Sequence, residues 1–104
     1  MAEDVPVKLA VQRTARGLES AVNAHEPEST ASRLSPDFAE RDNELRPLLA
    51  RTDRTELIGT VANRTLFHLH FADGDTRVVE LLWRDRDGTW LVEDARVFSL
   101  IAGE

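Results

Sequence analysis

The chain has 104 residues, with 13 Lys and Arg against 19 Asp and Glu and a formal net charge of −6. That length predicts one domain over residues 1–104, and the net acidic, mixed-sign charge excludes nucleic acid and anionic membrane as expected partners. Without cysteine there is no disulfide, thiolate metal site or cysteine nucleophile, and without a basic, apolar leader or a bilayer-length apolar run the expected location is the cytoplasm.

Val7, Val11, Ala15, Leu18 and Val22 recur at spacings of four, four, three and four. They form one apolar stripe on a helix over residues 5–24, with Pro6 in its first turn. Pro27 ends that helix and opens a short second one over Glu28–Leu34, closed by Ser35-Pro36. Residues Phe38 to Arg41 read as a brief strand or an extended connector. Asp42-Asn43 then offers a cap for a third helix over about Glu44–Arg51, with Pro47 confined to its first turn. From Glu56 onward β-branched and aromatic residues take over. The run ELIGTVANRTLFHLHF exceeds an ordinary strand, so a bend or bulge is expected at Gly59 or Asn63.

Residues Arg64 to Phe98 read as two successive hairpins, turning at Asp73-Gly74 and at Asp87-Gly88. The architecture predicted is α+β: three N-terminal helices on one face of a bent antiparallel sheet of three or four strands. Two-residue turns fix a register by arithmetic. Phe71 opposes Thr76, His68 opposes Val79 and Leu66 opposes Leu81, while Trp83 opposes Val92, Leu81 opposes Asp94 and Val79 opposes Arg96. One face then carries Phe67, Leu69, Phe71, Val78, Leu82, Leu91, Ala95 and Val97, interrupted by Glu80 and Glu93. The other carries Leu66, Val79, Leu81, Trp83, Trp90, Val92 and Phe98, with His68, His70, Arg77, Asp94 and Arg96 among them. Both faces are too apolar to lie wholly in water. One is expected on the helices and the other on a second copy of the chain. A one-residue slip in either turn reassigns them.

The order helix, short helix, LSPDF (Leu34 to Phe38), helix, long bent sheet, together with the W-R-x-R-D-G-x-W-x-V run from Trp83 to Val92, resembles the nuclear transport factor 2-like superfamily. Within that superfamily the chain resembles the SnoaL-like branch in particular. The resemblance implies a cystatin-like α+β cone whose helices lie against a curved sheet, often enclosing a pocket and commonly dimerised through the sheet. Such a cone hosts isomerases, cyclases, hydrolases, transport proteins and non-catalytic subunits, so the fold leaves the function open. Steroid-isomerase-like members pair a carboxylate base with a tyrosine donor, and this chain has no Tyr.

His68 and His70, two apart on one strand, project from the same face. Asp94 and Arg96 are expected on that face as well, within roughly 10 Å by strand spacing. An imidazole beside a carboxylate makes a general base near neutral pH, and an arginine fork stabilises a developing anion. His68, Asp94 and Arg96 are therefore the catalytic candidates; their structural use is an Asp94 ion pair with Arg96 or Arg77 and histidines satisfied at an interface. The candidate ligand wall is His70, Leu81, Trp83, Trp90, Val92 and Phe98, residues that serve equally as core or interface anchors. His-x-His is also a metal-ligand spacing, with Asp94 or His25 as the third donor, but the pair alone makes no site and no metal is expected. Asp37 lies in LSPDF, a region that the resemblance implies borders the pocket in some enzymes of the family, but after Pro36 its commoner use is to cap a turn. With no Gly-rich phosphate loop and no G-x-S-x-G elbow, no cofactor is expected. The reading is a homodimeric small-molecule-binding module taking a small apolar or weakly acidic ligand. The alternatives are a SnoaL-like enzyme and a non-catalytic protein-interaction domain.

Overall fold

The computed structural model describes residues 6–98. Four helices, α1 (Val7–Asn23), α2 (Pro27–Ala31), α3 (Pro36–Arg41) and α4 (Leu45–Arg51), precede four strands, β1 (Thr52–Val61), β2 (Arg64–Phe71), β3 (Thr76–Arg86) and β4 (Thr89–Phe98). The strands form one antiparallel meander in chain order. Helices on one face of an antiparallel sheet are the α+β arrangement expected.

Helix α1 follows its stripe: Val11, Ala15, Leu18 and Val22 are buried. It ends in a Schellman motif, with the His25 N–H on the Val22 carbonyl and the Glu26 N–H on that of Ala21. His25 takes the left-handed conformation this requires, φ 57°. Residues Phe38 to Arg41 are helical, not extended. The Ser35 side chain accepts from the Phe38 N–H and Pro36 opens the turn, so LSPDF is a helix start in which Leu34 and Phe38 enter the core. In α4, Pro47 is the third residue, within the first turn.

The long run after Thr52 is two strands. Ala62 and Asn63 form a two-residue turn between the paired Val61 and Arg64, with Ala62 at φ 53° where Gly is the usual occupant. The Asp87-Gly88 turn is as expected: both residues have positive φ, and Arg86 pairs with Thr89. The Asp73-Gly74 turn is not. The Phe71 N–H bonds the Asp75 carbonyl and the Gly74 N–H bonds that of Phe71, so the loop is Ala72-Asp73-Gly74. One extra residue moves the register. Phe67 faces Val79 and Leu66 faces Glu80, where a two-residue turn puts Leu81 opposite Leu66.

A second slip lies in β4. Trp83 pairs with Val92 as expected, but Leu82 pairs with Asp94, leaving Glu93 as a bulge. Beyond it Leu81 faces Ala95 and Val79 faces Val97, in place of the expected Asp94 and Arg96. These two corrections sort the faces cleanly. Phe67, Leu69, Phe71, Val79, Leu81, Trp83 and Val92 are buried with α1, Leu34, Phe38, Leu45 and Leu49. Glu80, Asp94 and Arg96 join His68 and His70 on the outer face.

The helical layer also reaches parts of both sheet edges. The Asn23 side chain bonds Thr55 N–H and C=O, at 2.7 and 3.1 Å, and Glu19 accepts from the Leu57 N–H at 2.8 Å. At the other edge Val92 exchanges backbone bonds with Arg33 and Ser35, and Arg41 donates to the Glu93 carbonyl. These groups are thereby closed to a further strand.

Candidate functional site

The inner face of the sheet is filled. Leu81, Trp83 and Val92, expected on a ligand wall, are completely buried in the core. The Trp83 indole N–H donates to the Thr65 hydroxyl at 2.8 Å, which satisfies its polar atom without water. With Trp83 and three phenylalanines, Phe38, Phe67 and Phe71, buried in the cone, the open space lies elsewhere. A cleft of about 480 Å³ runs between the helices, lined by Val22, Pro27, Thr30, Ala31, Leu49 and Ala50, with His25, Glu26 and Arg46 also contributing. Its volume falls within the roughly 300–1,000 Å³ of small-molecule sites.

Local chemistry builds this cleft. The Schellman turn swings Glu26 and Pro27 away from α1, so α2 stands off the end of that helix. On the far wall α4 is fixed by Asp42. Its Oδ1 accepts from the Glu44 and Leu45 N–H groups and its Oδ2 from that of Arg46. Burial pushes this carboxyl up, but the three backbone bonds and the Arg46 charge prevail and hold it below the ordinary value. Arg46, 3.6 Å from Asp42, is thereby tethered beside the cleft.

His68, His70, Asp94, Arg96 and Phe98 sit on the outer face, whereas Trp90 shares the inner face with Val92 and packs half-buried against the core. His68 lies opposite Val78, which lies opposite Phe98; Asp94 is four residues back along β4, roughly 16 Å from His68 by strand spacing. Asp94 approaches Arg41 at 3.8 Å, and Arg96 reaches Glu80 at 4.0 Å. The structure thus does not bring His68, Asp94 and Arg96 together. Trp90 edges a depression of about 600 Å³ with Arg41, Asn63 and Asp94, and Phe98 stands 39% exposed beneath the Arg96 guanidinium. Asp37 is largely exposed, 3.8 Å from Arg86.

His68 and His70 do converge, on a residue that the sequence reading passed over. Glu56 pairs with His68 across β1–β2, and its carboxylate accepts from His70 Nε2 at 2.9 Å. That hydrogen bond, with Arg54 and the two imidazoles nearby, holds the Glu56 carboxyl below its ordinary value against a small desolvation penalty. The imidazole centroids are 4.3 Å apart. Glu56 follows from sequence only once both the Ala62-Asn63 turn and the β1 bulge between Leu57 and Gly59 are placed, since the turn alone puts Leu57 opposite His68.

No family model matches the chain, and no curated protein sequence matches it. Among solved structures, a designed NTF2-like protein, Rd1NTF2_05 carrying five substitutions, is similar to it with a TM-score of 0.58 at 12% identity. The likeness covers 85% of this chain and 96% of that one. At such identity it shows the fold, and that fold is nuclear transport factor 2-like.

Proposed function

We propose that the chain is a non-catalytic small-molecule-binding module of the SnoaL-like kind, whose ligand is small and apolar or weakly acidic and enters the cleft between α1, α2 and α4. The supporting observation is that cleft, whose walls are mostly apolar, with the half-exposed Arg46 at its side to meet a carboxylate. Medium-chain fatty acids and aromatic carboxylates are suitable probes, read by thermal shift and by amide chemical-shift changes. The expected result is saturable stabilisation that Ala31→Trp, which fills the cleft, abolishes. Equal stabilisation of that variant, or shifts confined to the sheet, overturns the reading.

A second observation favours self-association. Leu66 and Phe98 are 37% and 39% exposed on an outer face whose charges alternate in sign, and a two-fold interface needs such self-complementarity. Because hydrogen-bonding groups at both sheet edges are already engaged by the helical layer, the dimer proposed forms face to face. Light scattering on the wild type and on Leu66→Arg tests it: a dimer that the substitution dissociates is expected.

A further inference from the structure

We propose that Glu56, His68 and His70 form a binding site for a divalent transition-metal ion on the outer face of the sheet. One donor atom from each, two imidazole nitrogens and a carboxylate oxygen, lies within 4.8 Å of the others. A tetrahedral ion with bonds near 2.0–2.1 Å holds its donors roughly 3.3 Å apart. The Glu56–His70 contact, at 2.9 Å, is already at that scale. The remaining contraction needs only small rotations of side chains that project from strands.

The backbone supplies the rest of the preorganisation. His68 and His70 are fixed two apart on a central strand, and Glu56 is paired opposite His68 on the neighbouring one. Two elements, not one flexible loop, thus hold the three donors. Among the described residues His68 Nε2 is shielded from solvent and has no hydrogen-bond partner, a cost that coordination to a cation removes. Glu56 is an exposed carboxylate, anionic at neutral pH, which supplies the charge a dication needs. Arg54, 3.6 Å from the second Glu56 oxygen, is the competing cation, and its exposed guanidinium is free to turn outward.

Imidazole with carboxylate suits zinc, copper, nickel or iron better than calcium or magnesium, which prefer all-oxygen shells. Three protein donors leave a coordination position for water or an exogenous anion. This site lies on the opposite side of the sheet from the helical cleft and stands whether or not that cleft takes a ligand.

The test is calorimetric titration of the whole chain with zinc chloride in a non-coordinating buffer, followed by chelator reversal. One ion per chain is expected, with the imidazole NMR signals of His68 and His70 shifted and that of His25 unmoved. Glu56→Gln weakens binding at least about 10-fold, and the His68→Ala/His70→Ala double variant abolishes it. Both variants keep the wild-type far-UV spectrum. Absence of binding by the wild type, undiminished binding by the double variant, or loss of binding in His25→Ala overturns the site.

Discussion

Asp42 shows how much one side chain settles at the residue scale. It accepts three backbone N–H groups at the start of α4, which would otherwise lack partners there. Asp42→Ala is expected to cost about 1–2 kcal/mol, the upper range for a helix cap, because all three acceptor contacts go at once. Asp42→Asn keeps one acceptor oxygen and loses the charge, so its behaviour in acid separates geometry from electrostatics. The folded-state carboxyl titrates below the ordinary value of 3.8. The stability it contributes is therefore complete above that value and is lost as the pH falls through the lower folded-state value. Urea midpoints of wild type and Asp42→Asn, measured from pH 7 downward, should converge below pH 3.8; a constant gap means the charge contributes nothing. Other carboxylates titrate in both proteins and cancel in the comparison.

At the scale of elements, the bulge at Glu93 governs what the sheet presents. Strict alternation from Val92 turns Asp94 and Arg96 inward beside Trp83. The bulge turns them out and brings Ala95 and Val97 in. Deleting Glu93 leaves Val92, Asp94, Ala95, Arg96 and Val97 in regular in-out order on an unbroken ladder. The fold is expected to survive, losing chiefly the Arg41 and Arg86 contacts to Glu93. Deleting Ala95 instead drives Arg96 into the core without a partner, several kcal/mol and comparable to the whole stability of such a domain. Circular dichroism and urea unfolding check the pair: folded for the first deletion, unfolded for the second. Equal effects would remove the bulge from the account. The pattern was readable in principle, since the apolar spacing in β4 goes from two to three across Glu93-Asp94. Glu80 opposite Phe67 was likewise the mark of a turn one residue too short. Helix α1, the α+β order and the Asp87-Gly88 turn were legible because each rests on local periodicity or turn chemistry. Helix α3 was missed because Ser35-Pro36, which closes one helix, also caps and opens the next, and Glu56 because Ala62 occupies a turn position that normally signals itself with Gly and a bulge beside Gly59 shifts the register again.

Across the whole molecule, one core joins every layer, and Trp83 sits inside it between the strands and the helices. Its ring is completely buried, its indole N–H is bonded to Thr65, and its backbone exchanges hydrogen bonds with Asn63 across the Ala62-Asn63 turn. A cone built this way keeps the fold's shape without an inner pocket, because the volume a ligand would use is occupied by the chain itself. Trp83→Ala restores that volume. It is expected to cost about 3–5 kcal/mol, from lost transfer energy and the cavity left behind, a large part of the roughly 5–15 kcal/mol available. The cavity is apolar apart from the Thr65 hydroxyl, so it should bind a matching aromatic as other engineered cavities do. Indole is therefore expected to raise the melting temperature of Trp83→Ala well beyond any effect it has on the wild type through the cleft between the helices at the same concentration. A loss under 1 kcal/mol, or equal stabilisation of both proteins by indole, would mean that the interior is already open and that Trp83 does not fill it.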